Sequence, residues 1–277
     1  MTNNKDYSFY IAFLASMRTY LSISNELLDD IMIKYSLPTE VMHKLRSSVL
    51  CHFQLNRMCN LLEYIISPQR PESVQSFESF DPLNILTEMS TAFSKTVSGY
   101  IPLTTNCYSK LRRPVPIQVN KAKFELVFLN LLYCSLRSAD NSRSKDTKLT
   151  FYITENKDSF VFHLRDNCRT INSQIIERVF SDLPVSTALD NTIDSVIALS
   201  LEAALKAACE LEGSIAYKPL KSGNRYDISL PKSVSGKPSL AKSISLYTPT
   251  YSYYDQIFAD ILLEKHINKN LNGADTP

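Results

Sequence analysis

Three residue types decide what chemistry this chain can be asked to do: histidine, cysteine and glycine. Histidine is the side chain whose charge changes near neutral pH, and so the natural general base or phosphoryl acceptor. The four present, His43, His52, His163 and His266, are dispersed over the whole sequence. His43 and His52 are the weak candidates for a phosphotransfer nucleophile. His163 and His266 have no carboxylate or cysteine at ligand or triad spacing along the chain and receive no role. The six cysteines, Cys51, Cys59, Cys107, Cys134, Cys168 and Cys209, contain no C-x-x-C pair, so no metal site is spelled out. Most of them lie in apolar runs, where a reduced thiol behaves as a small hydrophobe, and a disulfide framework is the less favoured reading. Glycine is scarce: Gly99, Gly213, Gly223, Gly236 and Gly273 are all there are in 277 residues, where average usage of ~7% would supply about nineteen. A phosphate cradle needs several glycines close together, and that spacing excludes Walker-type and dinucleotide-type fingerprints.

The elements that would position these residues follow from hydrophobic periodicity. Leu14, Met17, Leu21, Ser24, Leu28 and Ile31 recur at alternating three and four residues, a heptad seam on a helix over 8–35. Ser36-Leu-Pro-Thr39 interrupts it, with Thr39 placed as an N-cap. A second seam runs through Leu45, Ser48, His52, Leu55, Cys59, Leu62 and Ile66. One hairpin cannot bury its own seam, so two are expected to pair into a dimeric four-helix bundle over residues 1–70. Residues 67–80 are polar with two prolines, a linker. Beyond it, helices are expected over 81–97, 122–138, 171–180 and 193–211, and strands over 114–119, 149–153, 160–164, 214–218 and 225–230. Interleaved in this way they suggest an α+β sandwich, helices on one face of a mixed sheet, over 80–231. Residues 232–277 form a tail ending in an amphipathic stripe of Tyr254, Ile257, Phe258, Ile261 and Leu262. It is expected to fold back on the sandwich, the alternative being a groove on the partner subunit or on a signalling protein.

Six short boxes along these elements resemble the core of a bacterial sensor histidine kinase, a dimerisation hairpin followed by an ATPase domain of the gyrase/Hsp90/kinase type. Phe13-Leu-Ala-Ser-Met-Arg-Thr-Tyr-Leu21 is similar to the phosphoacceptor box through Arg18, Thr19 and Leu21, and Phe80-Asp-Pro-Leu83 to the Phe-Asp-Leu that opens the ATPase domain. Phe124-Glu-Leu-Val-Phe-Leu-Asn-Leu-Leu-Tyr-Cys-Ser-Leu-Arg137 resembles the asparagine box. Asp166-Asn-Cys-Arg-Thr-Ile171 resembles the first glycine box, with Phe180 placed like the phenylalanine box. Ala198-Leu-Ser-Leu201 with Leu211-Glu-Gly213 falls on the second glycine box, and Gly223-Asn-Arg-Tyr-Asp-Ile-Ser-Leu-Pro231 resembles the closing strand.

The departures fall on the chemistry that the resemblance implies. The phosphoacceptor position is Ala15, which has no nucleophilic nitrogen, and its acidic neighbour is Ser16. The asparagine that holds Mg²⁺ in the family is Cys134, a soft ligand for a hard cation. Cys168, Thr170, Ala198 and Ser200 replace glycines that let backbone N–H groups approach phosphate. Asn130, Arg137, Asp166 and Asn167 survive as a vestigial nucleotide pocket, Asp166 resembling the carboxylate that reads the adenine amino group. His43 sits at the turn and topology favours a solvated side chain; His52 on the seam favours a core histidine with a hydrogen-bond partner.

The expected function is therefore a catalytically inactive, histidine-kinase-like homodimer acting as a scaffold in signalling. It would dock a response-regulator receiver domain, or another signalling protein, on the lower part of the hairpin. The alternatives are a divergent but active kinase or phosphotransferase using ATP through His43 or His52, and a sensor whose reshaped pocket holds another ligand. No cofactor or metal is expected. Thirty basic against twenty-eight acidic residues suggest neither a nucleic-acid nor a membrane partner. The apolar stretch at 9–15 is short, soon meets Arg18 and continues the helical pattern, so a cytoplasmic location is expected, with input arriving from elsewhere.

Overall fold

A computed structural model describes residues 8–67, 78–97, 101–111, 116–139, 146–180 and 192–232, with Phe258, Ala259, Ile261 and Leu262 near the C-terminus. The chain divides into two compact units, Met1–Pro68 with Ser245–Pro277, and Gln69–Ile244.

In the first unit α1 (Ser8–Lys34) and α2 (Thr39–Ile66) form the hairpin. The break falls where proline stiffens the chain and removes a backbone donor. Pro38, not Thr39, occupies the N-cap, and no side chain caps the helix. The α1 seam is partly as expected: Leu14 is buried, whereas Ile31 is exposed. On α2 the face turned inward is Val49, Leu50, Phe53, Arg57, Cys59 and Leu61, while Leu55 of the expected seam is 43% exposed. Of the expected seam Cys59 is buried, but the rest of the inward face is a neighbouring stripe that the heptad count passes over. Val49, Leu50 and Phe53 pack with Ala259 and Leu262 of the C-terminal region, joined by Leu28 and Met32. The described residues of the tail stripe thus pack against the hairpin, correcting the expectation that the stripe covers the sandwich. Buried apolar surface decides such placements, at ~25 cal/mol per Å², and Phe258 and Ile261 are buried as well.

The second unit holds a five-stranded sheet in the order β2 (Leu103–Ser109), β4 (Thr147–Glu155), β5 (Ser159–Asp166), β7 (Gly223–Pro231), β6 (Ser214–Leu220). Only β2 and β4 are parallel. A separate pair joins β1 (Glu78–Phe80) to β3 (Ile117–Val119). The helices are α3 (Pro82–Val97), α4 (Lys121–Arg137), α5 (Ser173–Phe180) and α6 (Thr192–Glu210). Strand alternation sends Phe160, Phe162 and Leu164 into the core. There Phe162 meets Phe124 and Phe128 of α4 edge-on, with ring centroids 5.5 and 5.8 Å apart. Asn120 caps α4 by accepting from the Lys123 N–H at 3.0 Å. Ala203, Ala204, Ala207 and Ala208 are wholly buried, and their short side chains let α6 lie close along α4. The strands β1 and β2 are additions to the sequence expectation. Leu-Thr-Thr-Asn-Cys-Tyr-Ser in β2 alternates half-buried with exposed residues, so its hydrophobic signal is faint. No described helix is long and apolar enough to cross a membrane.

Candidate functional site

Asp166 ends the inward row of β5, so the alternation that builds the core also carries a carboxylate into it. The residue is 5% exposed, and a charge so placed must find donors. Its Oδ2 accepts from the Ser135 hydroxyl at 2.6 Å. Its Oδ1 accepts from the Cys168 N–H at 2.9 Å, the Asn224 N–H at 3.0 Å and the Asn224 Nδ2 at 2.9 Å. Burial pushes the Asp166 carboxyl above its ordinary range, and these four bonds oppose the rise.

Asn224 is the hub of the arrangement and is wholly buried. Its Nδ2 also donates to the Arg169 carbonyl at 3.0 Å, while its Oδ1 accepts from the Tyr217 hydroxyl at 2.7 Å and the Ile171 N–H at 3.2 Å. Gly223 permits the approach. A Cβ there would lie 1.9 Å from the Asp166 carbonyl oxygen, and φ is +110°, which favours glycine. This glycine is retained for the fold, as the sequence suggests. Ser135, Tyr217 and Asn224 were not singled out from the sequence. For Ser135 the signal is a polar residue inside the apolar run of α4; Tyr217 and Asn224 have no such signal in their neighbours.

The remaining family-matched residues spread over several environments. Asn130 is buried and donates to the Leu126 carbonyl one turn back, at 2.9 Å. The Cys134 thiol is buried and donates to the Ile197 carbonyl of α6 at 3.7 Å. Asn167 ties down the start of β4, accepting from the Lys148 N–H at 2.7 Å and donating to the Asp146 carbonyl at 3.0 Å. Ala198 and Ser200 are buried in α6, the Ser200 hydroxyl donating to the Val196 carbonyl at 2.8 Å. The Cys168 thiol is buried, and both burial and the Asp166 charge push its pKa far up. Arg137 and Thr170 line a cavity of about 1030 Å³ together with Arg169, Asp194, Ile197 and Tyr217, among others. Asp166, Asn130 and Cys134 do not line it. Along the loop after β5, the N–H groups of Cys168, Arg169 and Ile171 are directed to Asp166, the Ser138 carbonyl and the Asn224 and Tyr217 oxygens. All six cysteines are free thiols; Cys59, Cys134 and Cys168 are buried, Cys107 is half-buried, and Cys51 and Cys209 are exposed. No metal-binding cluster of His, Cys, Asp or Glu occurs among the described residues.

In the hairpin, Ala15 is half-buried on α1, and its carbonyl accepts from the Thr19 hydroxyl at 3.1 Å. Arg18 clamps the two helices, bonding Asn60 at 2.9 Å and Glu63 at 2.8 Å. His52 Nδ1 lies 2.9 Å from Asn25 Oδ1, whose residue is buried: a part-buried histidine with a partner, as its seam position suggests. His43 is half-buried on α2, four residues past the first helical position. His163 departs from the sequence reading, which found no carboxylate at triad spacing. Strand pairing sets it opposite Asp227, with Nδ1 2.5 Å from Asp227 Oδ1 and Nε2 2.8 Å from Thr154 Oγ1. The three lie on the sheet face away from the helices, outside the cavity. His266, and Tyr254 and Ile257 of the tail stripe, lie outside the described residues.

No family model matches the sequence, and no curated protein matches it. Solved structures match its fold. The Acinetobacter baumannii histidine kinase AdeS is 16% identical with a TM-score of 0.52, over 78% of this chain and 97% of that one. Full-length ShkA, solved in complex with AMPPNP, is 12% identical with a TM-score of 0.59, over 82% of this chain and 47% of ShkA. The chain thus spans about half of ShkA. At these identities the likeness is one of fold: a helical hairpin and an ATPase-type α/β unit, the histidine-kinase core.

Proposed function

We propose that this chain is a histidine-kinase-like scaffold without phosphotransfer activity, a homodimer in bacterial signal transduction that docks a response-regulator receiver domain or a kinase. The observation that carries the reading is the state of Asp166. The carboxylate that would read adenine is buried, held by four protein donors and absent from the cavity lining. Three backbone N–H groups of the neighbouring loop are likewise committed within the protein, and phosphate binding at such loops depends on them. Cys134 offers a soft thiol, already bonded to Ile197, where Mg²⁺ needs oxygen. Mg-ATP does not fit this set of residues, and Ala15 supplies no acceptor nitrogen for it.

Support for the homodimer is the outer surface of the hairpin. Tyr10, Phe13, Tyr20 and Leu27 on α1 and Val41 and Leu55 on α2 are 40–72% exposed, and the α1 set follows heptad spacing. Contiguous apolar surface of this kind marks an interface. Because the tail covers Val49, Leu50 and Phe53, a receiver domain would meet the remaining face of the hairpin.

A second reading, a divergent kinase that uses ATP through His43 or His52, draws on the cavity. About 1030 Å³ with Arg137 and Arg169 on its wall is ample for a nucleotide-sized anion, and equally for another small ligand. Calorimetry of the full chain with millimolar ATP, with and without Mg²⁺, separates the two. The scaffold reading expects no saturable heat. A micromolar dissociation constant overturns it.

A further inference from the structure

The sheet presents one face to the helices and a second, quite different face to the other side. Strand register sets Tyr108, Tyr152, His163 and Asp227 side by side across β2, β4, β5 and β7. The first three stack as a ladder, with ring centroids 5.5 and 4.3 Å apart and interplanar angles of 11° and 21°. Lys110 places its ammonium 4.7 Å from the Tyr152 ring centre. The neighbouring row is Arg165, Arg225 and Lys218, directly opposite one another on three adjacent strands, hence about 4.8 Å apart in the backbone. Like charges directly opposite across strands destabilise a sheet, a cost that Asp227 relieves at Arg225 and no described carboxylate relieves at Arg165 or Lys218. Arg225 is held by Asp227 at 2.7 Å. Lys110, Lys148, Arg165 and Lys218 are exposed and have no carboxylate partner among the described residues.

We propose that this face binds single-stranded nucleic acid, with backbone phosphates on Lys148, Arg165, Arg225 and Lys218 and a base stacked on Tyr108. Tyr108 is the end of the ladder. It lies on the edge strand β2, 36% exposed, with one ring face on Tyr152 and the other turned to the sheet edge. Cations tracking a backbone beside an aromatic ring on which bases stack is the arrangement by which proteins hold single strands without reading sequence. A duplex is read by a helix or a narrow ribbon entering a groove, and a five-stranded face is too broad to enter one. The near-neutral charge of the whole chain, which suggests no such partner, is an average: the fold collects cations on one face and balances them elsewhere. This inference does not depend on the fate of the nucleotide pocket.

The test is fluorescence anisotropy of the full chain with a labelled single-stranded 20-mer of uridine between 50 and 200 mM salt. Four phosphate contacts predict a slope of about −3 in log affinity against log salt, at ~0.7 per contact. The exchange Arg165→Glu with Lys218→Glu should weaken binding at least tenfold and flatten that slope. Tyr108→Ala should weaken it about tenfold at unchanged slope, and Tyr108→Phe should restore it. These side chains are exposed, and circular dichroism checks that each variant folds; Arg165→Gln is the milder substitute if the double exchange does not. Three results overturn the proposal. The first is no anisotropy change at 50 μM protein in 50 mM salt. The second is binding indifferent to all these variants. The third is equal binding to phosphatidylserine vesicles or poly-glutamate with no effect of Tyr108→Ala, which assigns the face to a membrane or an acidic protein.

Discussion

Removing the Asn224 side chain tests whether the degenerate pocket is held shut from within. Asn224→Ala deletes the Nδ2 bonds to Asp166 and to the Arg169 carbonyl, together with the acceptor for Tyr217 and Ile171. The Ile171 N–H keeps the Tyr217 hydroxyl at 3.3 Å, so its loss is partial. A bond to a charged group contributes about 1.5–3 kcal/mol and a neutral one about 1. With a wholly buried site that water cannot readily refill, the expected loss is about 3–5 kcal/mol, at the upper end for a single substitution. The effect should also depend on pH. Burial already raises the Asp166 pKa, and losing a donor raises it further. A carboxyl whose folded pKa is raised stabilises the fold on the acid side and loses that contribution as pH rises through the folded value. The deficit of Asn224→Ala should therefore be greatest at the alkaline end of the range in which the protein folds and shrink as pH falls. Adding Asp166→Asn should abolish that pH dependence. The chain has no tryptophan, so urea unfolding followed by far-UV circular dichroism is the assay. A loss under about 1 kcal/mol, or one that is the same at every pH, refutes the reasoning.

Three further outcomes follow from the same structure. Phe13→Glu with Leu27→Glu places charges on the outer stripe of α1, where both residues exceed half exposure; sedimentation should then report a monomer that keeps its helicity, and a wild type already monomeric at micromolar concentration would refute the dimer. Leu262→Ala removes a buried leucine from the cluster with Val49, Leu50 and Phe53 and should cost about 2–4 kcal/mol in a thermal melt, whereas no shift would mean the tail is not docked there in solution. At Asp227, burial works against the charge, but the bonds from Arg225 and His163 outweigh it and hold the carboxyl below its ordinary range. Its contribution is present above the unfolded value near 3.9 and lost as pH falls through the folded one. Asp227→Asn should flatten the acid limb of the stability curve, and an unchanged limb argues against the His163–Asp227–Arg225 contact.

The sequence by itself determined what depends on local period. The apolar recurrence over α4 and α6 and the alternation in β4, β5, β6 and β7 place those elements within a few residues of where they lie, because burial on one face imposes a period of 3.6 or 2 on any chain that folds this way. The six boxes carried the histidine-kinase core fold. Asp166, Arg137 and Thr170 stand within those boxes. β2 was not, since an edge strand of threonine, asparagine and tyrosine has little apolar contrast to read. Tertiary structure decided everything that depends on which elements become neighbours. Asn224 and Asp166 are far apart in sequence yet are joined by two hydrogen bonds, from the Asn224 N–H and Nδ2 to Asp166 Oδ1, because the start of β7 pairs beside the end of β5. His163 gains Asp227 by register across the same two strands. On α2 two apolar stripes compete, and only docking against α1 and the tail selects Val49, Leu50 and Phe53 over Leu55. The stripe at 258–262 announced that it would be covered but not by what, because hydrophobic attraction has no direction and shape alone chooses the partner.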